Sequence, residues 1–330
     1  MLETNSALFF EINLFYEKNM SIIYSTVTEN AGKKTSLTCI IRSLVDSKNR
    51  KFFNEKNLNI FYSMTKIIKN SNLNRFQSAK VLVRDAGLYA MQWFRTNKNL
   101  QIEKKGPQDW VSTADREVEK MIRKELEELF PEDGFLGEES KTRNLDAEGI
   151  WVVDPIDGTN CFLNGISSWC VSIAYVLRNK IEIGVIYSPC SDELFAAHRG
   201  NGATLNGQPM IPSKANGLNE GIVGLGYSPK SSIEATQKAF DYLLKNGGVY
   251  HEIGSCALMT AYVAAGRYIG IYEYKINSWD CLAGLCMVQE TGGWTNDFLA
   301  DDGLISGNPI IASSPKTREA MQKLFSAAGH

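Results

Sequence analysis

Histidine is nearly absent from this chain. Only His198, His251 and His330 occur in 330 residues, so a multi-histidine zinc centre, a Ser-His-Asp triad and a Cys-His pair are all poorly supported. Paired CxxC cysteines are missing as well. The seven cysteines are an odd number. Several sit in apolar runs such as Cys170-Val171-Ser172-Ile173 and Cys281-Leu282-Ala283-Gly284. They read as reduced core or pocket thiols of a cytoplasmic protein. No apolar run approaches the ~20 residues that a membrane helix needs. The start, Met1-Leu2-Glu3-Thr4, lacks the basic, apolar and small-residue blocks of a secretory signal. Charge of one sign is not in excess either. A net charge of −2 gives no electrostatic reason to expect a nucleic acid or a membrane surface as partner. With 44% hydrophobic and 22% charged residues, the chain is an ordinary globular one, long enough for one large domain or two medium ones. Its chemistry must lean on oxygen ligands.

Residues 1–72 differ from the rest. They carry one glycine, Gly32, and no proline, and their short apolar patches lack a sustained period. They read as an N-terminal appendage, partly helical or poorly ordered. Regular structure begins near Phe76, where Ala79, Leu82, Val83, Ala86, Ala90 and Trp93 recur at helical spacing. A second helix is predicted from Thr113 to Phe130, ended by Pro131. Ile150–Val153 reads as a buried strand that ends at Asp154. Cys170–Leu177 and Ile181–Tyr187 read as a hairpin, and Asn206-Gly207 as a second tight turn. Helices are predicted at 233–245, 255–265, 278–290 and 316–327, with strands at 268–274 and 309–312. The mixed order and antiparallel stretches fit α+β layers better than strict βαβ alternation.

Four acidic segments stand at the edges of these elements. They are Val111-Ser112-Thr113-Ala114-Asp115, Gly137-Glu138-Glu139-Ser140, Trp151-Val152-Val153-Asp154-Pro155-Ile156-Asp157-Gly158-Thr159-Asn160, and Ser278-Trp279-Asp280-Cys281-Leu282-Ala283-Gly284. In the third, an apolar strand ends in Asp154, Pro155 forces an extended-to-turn transition, and Asp157-Gly158 makes a tight turn whose amides face an anion. Two aspartates so spaced can hold hard cations such as Mg²⁺ beside a phosphate. Two such ions roughly 3.5–4 Å apart clamp the attacking and leaving oxygens of an in-line displacement. Bland readings compete. Ser112-x-x-Asp115 is also a capping signature, and taken alone that reading ranks first. Asp280 also opens a predicted helix, Asp157-Gly158 alone is a common turn, and Glu138-Glu139 alone is a solvated pair. Asp154 is hardest to explain blandly, because a buried acid needs a partner and no cationic residue adjoins it in sequence.

Gly-Glu-Glu-Ser, Asp-Pro-Ile-Asp-Gly-Thr and Trp-Asp-x-x-Ala-Gly, in this order, resemble the inositol monophosphatase family over about Phe76 to the C-terminus. The resemblance implies the layered sugar-phosphatase fold of alternating helix and sheet layers. It implies a catalytic domain over 73–330, with a metal-binding half at 73–215 and a substrate-pocket half at 216–330. It also implies Mg²⁺-dependent, lithium-sensitive hydrolysis of a small phosphate monoester, most simply a myo-inositol monophosphate, by a homodimer. Carried over by residue, Glu138, Asp154 and the Ile156 carbonyl would bind one metal, and Asp154, Asp157 and Asp280 a second. Glu138 would help hold a weaker third ion. Thr159, hydrogen-bonded to Asp115, would orient the attacking water. The Gly158 and Thr159 amides would grip phosphate. Gly254, Ser255, Cys256 and Glu273 would line the substrate pocket, and Lys105 would belong to a mobile loop at the metal site. The family usually reads Asp-Gly-Thr-Thr-Asn-Phe where this chain has Asp157-Gly158-Thr159-Asn160-Cys161-Phe162. Fructose-1,6-bisphosphate, 3′-phosphoadenosine 5′-phosphate and histidinol phosphate are alternative substrates on the same fold. A role as an accessory partner of the transcription machinery is an alternative of another class.

Overall fold

The structure, a computed structural model, describes residues 71–96, 101–106, 109–228 and 230–330. The reading of residues 1–72 as an appendage therefore lies outside the described residues, apart from Ser71 and Asn72. The first elements are α1 (Asn72–Thr96), a hairpin of β1 (Ile102–Gly106) and β2 (Asp109–Ser112), α2 (Thr113–Leu129), β3 (Gly134–Gly137) and β4 (Gly149–Asp157). Then come α3 (Thr159–Leu163), β5 (Cys170–Leu177), β6 (Lys180–Ser188), β7 (Glu193–His198), β8 (Ala203–Leu205) and β9 (Gln208–Pro209). The remainder is β10 (Ile222–Leu225), α4 (Ile233–Lys245), β11 (Val249–His251), α5 (Cys256–Ala264), β12 (Gly270–Ile276), α6 (Leu282–Glu290), β13 (Trp294–Thr295), α7 (Gly303–Ser306), β14 (Asn308–Ser313) and α8 (Arg318–Ala327).

Two sheets alternate with three helix layers. One sheet runs β3-β4-β5-β6-β7-β8-β9 and the other β11-β10-β12-β14-β13. Helices α1 and α2 cover one face of the larger sheet, α5 and α6 fill the space between the sheets, and α4 and α8 cover the far face of the smaller one. The period of two along β4 builds this directly. Trp151 and Val153 pack towards α1 and α2, while Ile150 and Val152 pack towards α5 and α6. Alanines at 79, 86 and 90 let α1 lie close to the sheet. Helices α5 and α6 are apolar on nearly every side, as a helix between two sheets must be. Gly184 on β6 is required for this closeness, because a Cβ there would overlap the Ala283 carbonyl of α6. Each fully buried aliphatic side chain in these cores contributes about 1.5–3 kcal/mol.

The predicted helices and the central hairpin are observed. Asn206 and Gly207 both have positive φ, 49° and 79°, as a two-residue turn of this kind requires. Three expectations need correction. The strand through Asp154 does not stop there but resumes beyond Pro155 to Asp157. The helix expected from Ser278 begins only at Leu282, so Asp280 lies in the preceding turn. The last helix starts at Arg318, after a 3₁₀ turn at Pro315–Thr317 imposed by the proline. Among the described residues all six cysteines are free, and no helix is long and apolar enough to cross a membrane.

One buried ion pair fastens α1 to the sheet. Arg75 Nε and Nη2 donate to Asp133 Oδ2 and Oδ1 at 2.7 and 2.8 Å, and both residues are under 8% exposed. Asp133 also accepts from Trp151 Nε1 at 3.0 Å. Arg84 and Asp192 instead pair on the surface at 3.1 Å. Arg75→Ala is expected to lower stability by about 3–5 kcal/mol, because it strands a buried charge. Arg84→Ala should cost less than about 1 kcal/mol. Urea unfolding measures both, and equal losses would contradict this reading.

Candidate active site

Strand β4 supplies the first two carboxylates, and its irregularity is what brings them together. Asp154 pairs with Ser172 of β5, whereas Asp157 pairs with Cys170. Three steps on β4 thus match two on β5, which is a bulge of one residue. Pro155 has no N–H to give the ladder, and Asp154 Oδ1 accepts the Ile156 N–H at 3.0 Å instead. Without the extra residue, side chains three apart would point to opposite faces; with it, Asp154 and Asp157 share one. Asp280 joins them from the turn before α6. One oxygen from each of the three lies within 4.8 Å of the others.

Neighbouring elements hold each carboxylate by hydrogen bonds. Asp157 Oδ2 accepts from Ser255 Oγ, from Ala257 N at 2.9 Å and from Cys170 Sγ at 3.7 Å. Ser255 caps α5, so the helix start and the aspartate are fixed by one hydroxyl. Asp280 Oδ2 accepts from the backbone and side-chain amides of Asn277 at 3.0 and 3.1 Å. Among the described residues no ion pair reaches Asp154, Asp157 or Asp280. Their electrostatics follow. Burial and the charges of Glu138, Asp157 and Asp280 hold Asp154 well above the ordinary carboxylate range. Burial and Asp280 push Asp157 up to about 7, against the pull of its three donors. Burial raises Asp280 as well. The donor set is hard oxygen, which suits a hard divalent cation.

Glu138 follows β3, its N–H donating to the Val153 carbonyl at 3.3 Å, and its carboxylate lies close enough to raise Asp154. Asp115, fully buried, closes a capping box with Ser112 at the start of α2. Its other oxygen accepts from Thr159 Oγ1 at 3.2 Å. Thr159 Oγ1 is also 3.0 Å from the Ile156 carbonyl. Gly158, in the left-handed region at φ 94°, caps α3. Gly254, at φ 79°, lies against Cys161 Sγ, which contacts the Ile253 carbonyl at 3.3 Å. The cysteine in place of the usual asparagine thus packs the loop of Gly158 against Gly254. Glu273 on β12 is 4% exposed. Burial, then Asp280, Asp157 and Glu252, push it well above the carboxylate range, and a hydrogen bond with Ser228 opposes the shift. Cys256 is buried beside it. The Lys105 side chain lies outside the described residues. The sequence reading missed Asn277, three residues before Asp280, whose backbone and side-chain N–H groups both donate to that carboxylate. It also missed Glu119, buried on α2.

Comparison with known proteins agrees with this geometry. A profile described as the inositol monophosphatase family matches residues 72–329. An inositol-1-monophosphatase of Rhizobium meliloti is 37% identical over 261 residues, covering 75% of this chain and 93% of that protein. The Nus factor SuhB of Escherichia coli K12 is 34% identical over 245 residues, covering 72% and 90%. Among solved structures, the extragenic suppressor protein suhB of Bartonella henselae superposes with a TM-score of 0.71 at 35% identity, covering 78% and 99%. An IMPase of Thermotoga maritima gives 0.68 at 30% identity, covering 77% and 98%. A match over this span, on relatives covered almost whole, is decisive: the chain belongs to the inositol monophosphatase family, a family of phosphoric monoester hydrolases.

Proposed function

We propose that this protein hydrolyses a myo-inositol monophosphate to inositol and phosphate with Mg²⁺. The observation that carries the reading is the trio of Asp154, Asp157 and Asp280, two of them buried and the third half-buried, converging within 4.8 Å with no ion pair to any of them among the described residues. Glu138, Asp154 and the Ile156 carbonyl would hold one Mg²⁺, and Asp154, Asp157 and Asp280 another, with Glu138 helping a weaker third. Bound there, the ions supply an activated water and charge to stabilise the departing oxygen. Asp115 fixes the Thr159 hydroxyl, which would orient the water, and the Gly158 and Thr159 amides would meet the phosphate. Glu273, beside Ser255, Cys256 and Gly254, would accept hydrogen bonds from ring hydroxyls. Lys105 would belong to the loop over the metals. We assign catalysis to 73–330, with metal ligands in 73–215 and the pocket in 216–330, treat residues 1–72 as an appendage, and expect a cytoplasmic homodimer. Fructose-1,6-bisphosphate and 3′-phosphoadenosine 5′-phosphate rank lower, since Glu273 would repel a second phosphate.

A second reading, an accessory role in transcription, is favoured by the similarity to proteins named Nus factor SuhB. Capture of RNA polymerase by the chain supports it, and phosphate release supports the first reading.

Activity should vanish in excess EDTA and return with Mg²⁺. Asp154→Asn should lower kcat by at least a hundred-fold, about 3 kcal/mol of barrier, and Li⁺ should inhibit uncompetitively. Full turnover in EDTA would refute metal catalysis.

Glu273→Gln should lower kcat/KM for inositol 1-phosphate by about 1–3 kcal/mol, the range of a weakened polar contact, and leave p-nitrophenyl phosphate much less affected. Residues 71–330 alone should rank the substrates as the full chain does, because every proposed site residue lies beyond residue 104. Equal damage to both substrates, or a bisphosphate ranked first, would overturn this view of the pocket.

A further inference from the structure

One face of α2 reaches the site three times at helical spacing. Asp115, Glu119 and Arg123 lie four residues apart, so they stand in a row. Asp115 meets Thr159 at 3.2 Å. Glu119 Oε2 accepts the Glu139 N–H at 2.8 Å. Arg123 Nη1 donates to Ser140 Oγ at 2.9 Å and to the Lys141 carbonyl at 2.8 Å. Two of the three residues therefore bond to the segment that carries Glu138.

Glu119 is 1% exposed, and its Oε1 has no hydrogen-bond partner among the described residues. Leaving a buried carboxylate half-satisfied costs stability. An apolar side chain of similar size would pack there at less cost, so stability alone does not account for a carboxylate at this position. The geometry shows what it does. The carboxylate lies flat against the Gly137 backbone, where even a methyl group would overlap it, and it grips the peptide that follows Glu138. Both bonds flanking Glu138 are thus held: its own N–H by the Val153 carbonyl at 3.3 Å, and the next N–H by Glu119. A side chain whose two neighbouring peptides are fixed enters a metal site with little backbone entropy left to lose.

We propose that Glu119 is a positioning residue for the metal centre, holding the Gly137–Ser140 segment so that Glu138 faces Asp154. The proposal rests on Glu138 being a metal ligand, and the test separates the two. Mg²⁺ binding to the full chain is measured by titration calorimetry, and the unfolding midpoint is recorded with and without Mg²⁺. The variants are Glu119→Met, Glu119→Gln and, as control, Asp154→Asn. Asp154→Asn should lose saturable Mg²⁺ binding; if the unaltered chain shows none either, the metal reading fails and this proposal falls with it, whereas normal binding that is indifferent to Glu119 sinks this proposal alone. Glu119→Met should weaken Mg²⁺ binding at least ten-fold, and Glu119→Gln, whose amide oxygen still accepts the Glu139 N–H, should recover most of that loss. If Glu119→Met does not fold, Glu119→Asp, which withdraws the carboxylate from Glu139, should show the same weakening. Unchanged Mg²⁺ affinity in a folded Glu119→Met or Glu119→Asp variant would overturn the proposal, as would a loss in Glu119→Gln equal to that in Glu119→Met.

Discussion

Three carboxylates this close, two of them buried and one half-buried, repel one another strongly when all are ionised. Asp154, Asp157 and Asp280 sit within 4.8 Å of one another. At a separation of about 4 Å, two like charges repel by about 1 kcal/mol in bulk water and several-fold more in a protein interior. Burial adds the loss of hydration. The metal-free protein relieves this by keeping protons, and the raised pKa values of all three express it. A divalent cation relieves it better, since it neutralises charge and satisfies oxygen together. Much of the surrounding architecture serves to keep these acids close despite their repulsion.

The means are ordinary secondary-structure devices. Pro155 interrupts the β4 ladder and adds the residue that turns Asp157 onto the face of Asp154. The start of α5 offers Asp157 the Ser255 hydroxyl and the Ala257 amide. The turn before α6 offers Asp280 the two Asn277 amides. Asp157 and Asp280 are thus each gripped through one oxygen by neutral donors, which shapes the site without an ion pair. The layers fix the distances. Helices α5 and α6 lie wedged between two sheets, with Gly184 letting α6 approach β6 closely.

Asp154 was legible in the sequence on its own, because an acid after Ile150-Trp151-Val152-Val153 has no apolar explanation. Glu138, Asp157 and Asp280 each have an ordinary local reading as a solvated loop, a tight turn and a helix start, and were legible only through the order of the motifs that carry them. Long elements were legible for the same reason of pattern, as in the alanine-rich stripe of α1. Short ones were not. Strands such as β10 and β13 have four and two residues, too few for a period to show, and their pairing is decided by distant partners. The continuation of β4 past Pro155 was missed because proline reads locally as a stop, whereas the bulge depends on β5. Glu119 was invisible for a different cause. On α2 it looks like one more solvated glutamate of a charged helix, and only the packing of the Gly137–Ser140 segment buries it. Asp115 was ambiguous in sequence and stays double in the structure, a cap with one oxygen and a partner of Thr159 with the other.

The central claim is that protons and metal compete for the same buried carboxylates, and proton release on metal binding tests it most directly. Asp157, its pKa pushed up to about 7, holds its proton below that pH and would give it up to become a ligand. Calorimetric Mg²⁺ titrations in buffers of different ionisation enthalpy count the protons released. Net proton release on binding is expected at pH 7 and below, with an Mg²⁺ affinity that rises as the pH rises through about 7. Saturable Mg²⁺ binding with no proton release below pH 7, at constant affinity, would contradict it.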